Sequence, residues 1–122
     1  MAKFDDAILV MPEYCSTCLW ERRGGKTVRE IQFEELSLPQ DLVNQIHDWN
    51  MLYSHDDKLC GQSTPSFEIT GMEIARRIKA LAGKQRHVIY IGTDSAWHEH
   101  KYLILSDGSH RELPRKRRPT AE

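Results

Sequence analysis

Leu36-Ser37-Leu38-Pro39-Gln40-Asp41-Leu42-Val43-Asn44-Gln45-Ile46-His47-Asp48-Trp49-Asn50-Met51-Leu52-Tyr53 is the stretch that decides the fold class. Leu42, Ile46, Trp49 and Tyr53 recur at steps of four, three and four, which lines them along one side of an α-helix. Asp41, Gln45 and Asp48 then turn away from that side. Ser37 followed by Gln40 has capping-box spacing, and Pro39 stands where a helix accepts proline, near its first turn. An apolar stripe carrying one Trp reads as a core face, so Trp49 is assigned to the interior, as is Trp20.

Upstream, Ala7-Ile8-Leu9-Val10-Met11 is a short apolar run ended by Pro12, and its length favours a buried strand. Leu19-Trp20-Glu21 begins a second strand that turns at Gly24-Gly25, and 27–33 alternates as the returning strand. Downstream, 56–63 is polar and reads as a loop. Thr64 and Pro65 then open a second helix whose apolar positions are Phe67, Gly71, Ile74, Ile78 and Leu81. Gly83 supplies its C-cap, with Lys79 and Lys84 near the negative end of the helix dipole. Gly71 on the apolar side predicts close backbone-to-backbone approach of another element, because glycine inside a helix otherwise costs about 1 kcal/mol. His87–Ile91 and Lys101–Leu105 are β-rich strands, and the short link between them predicts an antiparallel pair. The class is therefore α+β, a four- to five-stranded, largely antiparallel sheet covered on one face by two α-helices. One domain spans 1–113, and 114–122 is a basic, flexible tail.

With 122 residues the chain holds one modest core. No apolar run approaches the ~20 residues needed to span a bilayer, and Met1-Ala2-Lys3-Phe4-Asp5-Asp6 has acids where a signal peptide would be basic and then apolar, so the sequence predicts a cytoplasmic protein without membrane contact. Three cysteines fit free thiols in a reducing compartment. The net charge of −1 hides a segregation: 30–73 carries nine acids against Lys58, a net −8, and the remainder carries +7. An acidic middle attracts a basic partner, speeds encounter and imitates phosphates; solvated helix faces are the plainer explanation.

Pro12-Glu13-Tyr14-Cys15 with Leu19-Trp20, the Leu36–Tyr53 helix, Gly61, the Phe67…Gly71 pair with Arg77, and Val88-Ile89-Tyr90 together resemble a group of small bacterial antitoxins. These are the immunity proteins of contact-dependent growth inhibition and related polymorphic toxin systems. The similarity runs over about residues 8 to 91 and consists of scaffold residues, none of them a catalytic motif. It implies a binding protein whose partner is the C-terminal domain of a cognate toxin, and no enzyme activity. Gly92–Glu122 lie beyond the similarity.

Other constellations compete with this reading. Cys15-Ser16-Thr17-Cys18 has the spacing of half a zinc site or a redox pair, but a second Cys-x-x-Cys is missing and Cys60 with His55 would have to complete it. His98 and His100, with Asp94, have a spacing that shares a metal on a strand, while in a loop the same residues are ordinary exposed polar groups. Buried thiols and solvated histidines are the expectation, with no metal and no cofactor. Arg115-Lys116-Arg117-Arg118 between prolines suits a nucleic-acid-binding or regulatory domain, the alternative function. The acidic middle argues against direct nucleic-acid binding. The residues expected to meet the toxin, itself expected to be a basic nuclease, are Glu34, Glu35, Asp41, Asp48, Asp56 and Asp57, with Trp97 as an aromatic anchor.

Overall fold

A computed structural model describes residues 6–11, 17–55, 65–84, 86–93 and 99–114, excluding the side chains of 53–55, 65 and 93. The elements are β1 (Ala7–Val10), β2 (Leu19–Arg23), β3 (Lys26–Glu30), a 3-10 helix (Phe33–Leu36), α1 (Gln40–His55), α2 (Pro65–Ala82), β4 (Val88–Thr93), β5 (Glu99–Ile104) and β6 (His110–Glu112). They form an α+β fold with one sheet in the order β3-β2-β1-β4-β5-β6. Among the described residues only β1 and β4 run parallel, in the register Ile8↔Val88, Leu9↔Ile89 and Val10↔Tyr90. Everything from β2 to α2 forms the long crossover that a parallel pair requires. The predicted antiparallel pairing of β4 with β5 is present, from Val88↔Ile104 to Thr93↔Glu99.

The sheet is larger than expected, with six strands among the described residues. The addition is β6, three exposed residues without an apolar alternation to announce them. A turn at 105–109 brings it back: Gly108 takes φ 90, and the Asp107 carboxylate accepts from the Ser109 N–H and hydroxyl. β3 stops at Glu30, short of the expected 33, because Phe33–Leu36 coil into the 3-10 helix. The Glu35 carboxylate accepts the Gln32 N–H at the start of that helix, and Ser37 closes it at φ 53. Ser37 thus ends one helix instead of capping the next. Pro39 immediately precedes α1, its carbonyl accepting from Leu42 and Val43. Both sheet edges are blunted against further pairing: β3 carries Lys26, Arg29 and Glu30 with a register shift opposite Glu21/Arg22, and β6 is short and charged.

The helices pack on the face formed by Ile8, Val10, Leu19, Val88, Tyr90 and Ile104, contributing Leu42, Ile46, Trp49, Phe67, Ile74 and Ile78. Trp49 stacks on Phe67 at 4.7 Å, and its Nε1 donates to the Phe67 carbonyl at 3.0 Å, so the indole is both buried and satisfied. Gly71 sits against rings, not against backbone as predicted: a Cβ there would lie 2.5 Å from the Tyr90 ring and 2.7 Å from Trp49. Burial pushes the Tyr90 hydroxyl well up from its ordinary pKa, and that hydroxyl donates to Glu68. Leu81, predicted in the stripe, is 50% exposed, and Ala82 takes its place against the core, one full helical step from Ile78. Trp20 is half-buried on the other sheet face, beside Ala7, Leu9, Ile89, Ile91 and Leu103, and not in the main core. At the end of α2, Lys79 donates to the carbonyls of Gly83 and Arg86, and Gly83 adopts φ 85 as the predicted cap. Burial alone lowers the Lys79 pKa.

Trp49→Ala removes a stacked, hydrogen-bonded indole and should cost about 3–5 kcal/mol, lowering the melting temperature by about 10–20 °C. A melt within two or three degrees of wild type would mean that the indole is not a core anchor.

Candidate partner-binding site

The outward faces of α1 and α2 follow from the same periodicity that buries Trp49. On α1, Asp41, Gln45, Asp48 and Leu52 recur at four, three and four on the side away from the sheet, and on α2, Thr70, Glu73 and Arg77 do so at three and four. Because the helices are antiparallel neighbours, these rows meet. Arg77 donates to Asp41 at 2.7 Å and to Gln45 at 2.9 Å, and Gln45 donates on to Glu73 at 3.0 Å. Above this ladder lies a cleft of about 400 Å³, walled by Asp41, Asn44, Gln45, Asp48, Leu52 and Thr70, with Trp49 at its base.

The charges along it are not equivalent. The Arg77 guanidinium holds the Asp41 carboxyl below the usual carboxylate range. Asp48 is exposed, and among the described residues no cation or donor pairs with it. Leu52, 51% exposed, lines the cleft, and Ile69, 64% exposed, adjoins Thr70. Such a pairing of an uncompensated acid with exposed apolar side chains suits a protein surface, since the apolar groups offer area and the acid offers direction.

The predicted acidic set therefore divides. Asp41 and Asp48 share the cleft. Glu34 and Glu35 lie on the 3-10 helix, and Glu35 is engaged internally: both its oxygens accept from Arg29, at 2.7 and 2.9 Å. Arg29 also donates to Glu21, which Arg23 contacts as well. Desolvation works to raise the Glu21 pKa, and these two arginines outweigh it. Asp56, Asp57 and Trp97 lie outside the described residues. Sequence reasoning missed Glu73, Thr70, Leu52 and Ile69, although Leu52 continues the polar row of Asp41, Gln45 and Asp48 at helical spacing.

Of the metal candidates, Cys15, Cys60, Asp94 and His98 lie outside the described residues, as does the side chain of His55. Cys18 is buried in the helix-side core. His100 contacts Glu112 at 2.9 Å on the β5–β6 hairpin. Among the described residues no three His, Cys, Asp or Glu side chains converge as a metal site, and no helix is long and apolar enough to cross a membrane. The basic run 115–118 also lies outside them.

The family profile described as Serratia CdiI immunity protein-like matches residues 6–93, from the start of β1 to the end of β4. The chain belongs to that family. This bears out the resemblance read from the sequence, and it places the cleft wholly within the matched portion. β5 and β6 fall beyond it and pair onto the outer edge of β4. Neither the curated proteins nor the solved structures returned a match.

The Arg29 fork and the Gln32 N–H hold the Glu35 carboxyl down at about 2, against an ordinary 4.5. Its ion pair is therefore complete above pH 4.5 and is lost as the pH falls towards 2. Carboxyl-carbon NMR should place the Glu35 midpoint near 2, and Arg29→Gln should move it up towards 4.5. A wild-type midpoint already at 4.5 would show that the pair is not formed in solution.

Proposed function

We propose that this chain is an immunity protein that binds the C-terminal domain of a cognate secreted toxin and neutralises it by covering its surface, without chemistry of its own. Membership of an immunity-protein family supports the role. The observation that carries the docking mode is the interhelical cleft, where Asp48 stands uncompensated among the described residues, between exposed Leu52 and the Thr70–Ile69 edge. In this reading the toxin is a nuclease acting in the cytoplasm, the compartment in which the immunity protein also resides. Such an enzyme binds phosphates and so presents a basic surface, for which carboxylates of fixed position are a substitute that cannot be cleaved.

The ladder beneath the cleft narrows the acidic hypothesis. Arg77 already offsets Asp41, and Arg29 already offsets Glu35, so long-range attraction falls mainly to Asp48, Glu73 and Glu34. Asp56 and Asp57 follow α1 directly in the chain and extend the acidic composition from its end, and Trp97 remains the proposed aromatic anchor. A specific complex buries about 1,600 Å² in all, far more than the cleft alone, so neighbouring helix surface must take part.

The test is binding kinetics with the toxin domain at several salt concentrations, beside circular dichroism to confirm folding. Asp48→Lys with Glu73→Lys should slow association about 10-fold at low salt, with wild-type association itself slowing as salt rises. Leu52→Ala with Ile69→Ala should instead speed dissociation about 10-fold. If folded variants of both kinds bind like wild type, the cleft is not the docking surface, and a toxin that the wild-type protein neither binds nor neutralises removes the role itself.

A further inference from the structure

A second concavity, of about 280 Å³, opens at the opposite end of the sheet from the β4–β5 loop, where β1 begins, β2 ends and β4 begins. Its construction follows from register. Ala7 of β1 pairs with Arg22 of β2 on one side, and the Ile8 N–H bonds the carbonyl of His87, just before β4, on the other, so a methyl group lies between Arg22 and His87. Two strand spacings, about 10 Å, separate β2 from β4, and the small residue between them leaves the floor open. Arg86 joins the lining from the α2–β4 turn, where the buried Lys79 ammonium holds its backbone carbonyl at 2.7 Å.

Of the two carboxylates at this site, Glu21 is offset by arginines and Asp6 is turned to a backbone N–H. Glu21 accepts from both Arg23 and Arg29, and Asp6 accepts the Gly24 N–H at 2.9 Å. Among the described residues Arg22 and Arg86 hydrogen-bond no carboxylate, and Arg86 adds only weakly to the field that lowers the Glu35 pKa. The Arg22 Nε–H is moreover buried without an acceptor among the described residues, an arrangement that folded proteins rarely leave uncompensated. Neither the helix cleft nor the proposed toxin contact uses any of these groups.

We propose that this pocket binds a phosphate-type oxyanion, held between the guanidinium groups of Arg22 and Arg86 above Ala7. The two arginines approach from a strand and from a turn, so they point at a common centre from different directions. A tetrahedral oxyanion has oxygens to meet each of them, whereas a planar carboxylate is satisfied by one arginine fork. A small rotation of the Arg22 side chain towards the anion also gives its orphaned Nε–H an acceptor.

The experiment is an NMR titration of the arginine Nε–Hε signals with inorganic phosphate at constant ionic strength, with acetate in a parallel arm. It needs no toxin, so its outcome is separate from that of the immunity reading. The Arg22 signal should shift saturably with phosphate, and Arg86→Gln, on an exposed turn, should weaken binding about tenfold while Arg111→Gln on β6 leaves it unchanged. Arg22→Gln should abolish saturation; if that variant does not fold, Arg86→Gln decides. Shifts that rise linearly without saturation, equal weakening by Arg111→Gln, or acetate saturating as tightly as phosphate would each overturn the assignment.

Discussion

The parallel pairing of β1 with β4 is the constraint on which the rest of the molecule depends. Ile8, Val10, Val88, Tyr90 and Ile89 at this junction are wholly shielded from solvent, so both faces of the two strands are covered. A parallel neighbour cannot be reached by a tight turn, and the chain between them has to leave the sheet and return. It does so by adding β2 and β3 on one side, then laying α1 and α2 over one face. The Trp49–Phe67 stack and the contact of Gly71 with the Tyr90 ring lock those helices to the centre of the sheet. The glycine sets how near α2 can lie, and that spacing aligns its outer row with that of α1.

The second organising effect is the folding back of charge. In the chain, acids and bases are segregated; in three dimensions, Arg77 meets Asp41 and Arg29 meets Glu35. These pairs are exposed enough that each contributes little to stability. Their larger consequence is to decide which acids retain an outward field. Asp48 does, and it stands at the cleft; Asp41 stands beside it as a positioned hydrogen-bonding group. At the other end of the sheet Arg22 and Arg86 hydrogen-bond no carboxylate among the described residues, so the two concavities differ in the charges left unpaired at them, in a molecule of nearly zero net charge.

Much of the architecture is legible in particular residues. The 4-3-4 step of Leu42, Ile46, Trp49 and Tyr53 specifies α1, the Gly24-Gly25 turn specifies the β2–β3 hairpin, and the Gly83 cap ends α2, because each depends on contacts within a few residues. β6 and the 3-10 helix are not legible: His-Arg-Glu has no apolar period, and Phe33–Leu36 could continue an alternating strand until Glu35 captures the Gln32 N–H. Of the candidate site, Asp41 and Asp48 are readable as outward-facing acids.

Sequence by itself therefore determined the α+β class, the helices, most strands and the family, since periodicity and short-range capping are properties of neighbouring residues. Only the tertiary structure decided that β1 and β4 are parallel, that Gly71 receives rings, and that Trp20 belongs to the second sheet face. It alone separated Asp48 from Asp41 and Glu35 by bringing Arg77 and Arg29, thirty-six and six positions away, against the latter two. Hydrogen-bonded charge pairing acts over ångströms in space, and neither composition nor spacing along the chain records which opposite charges will meet.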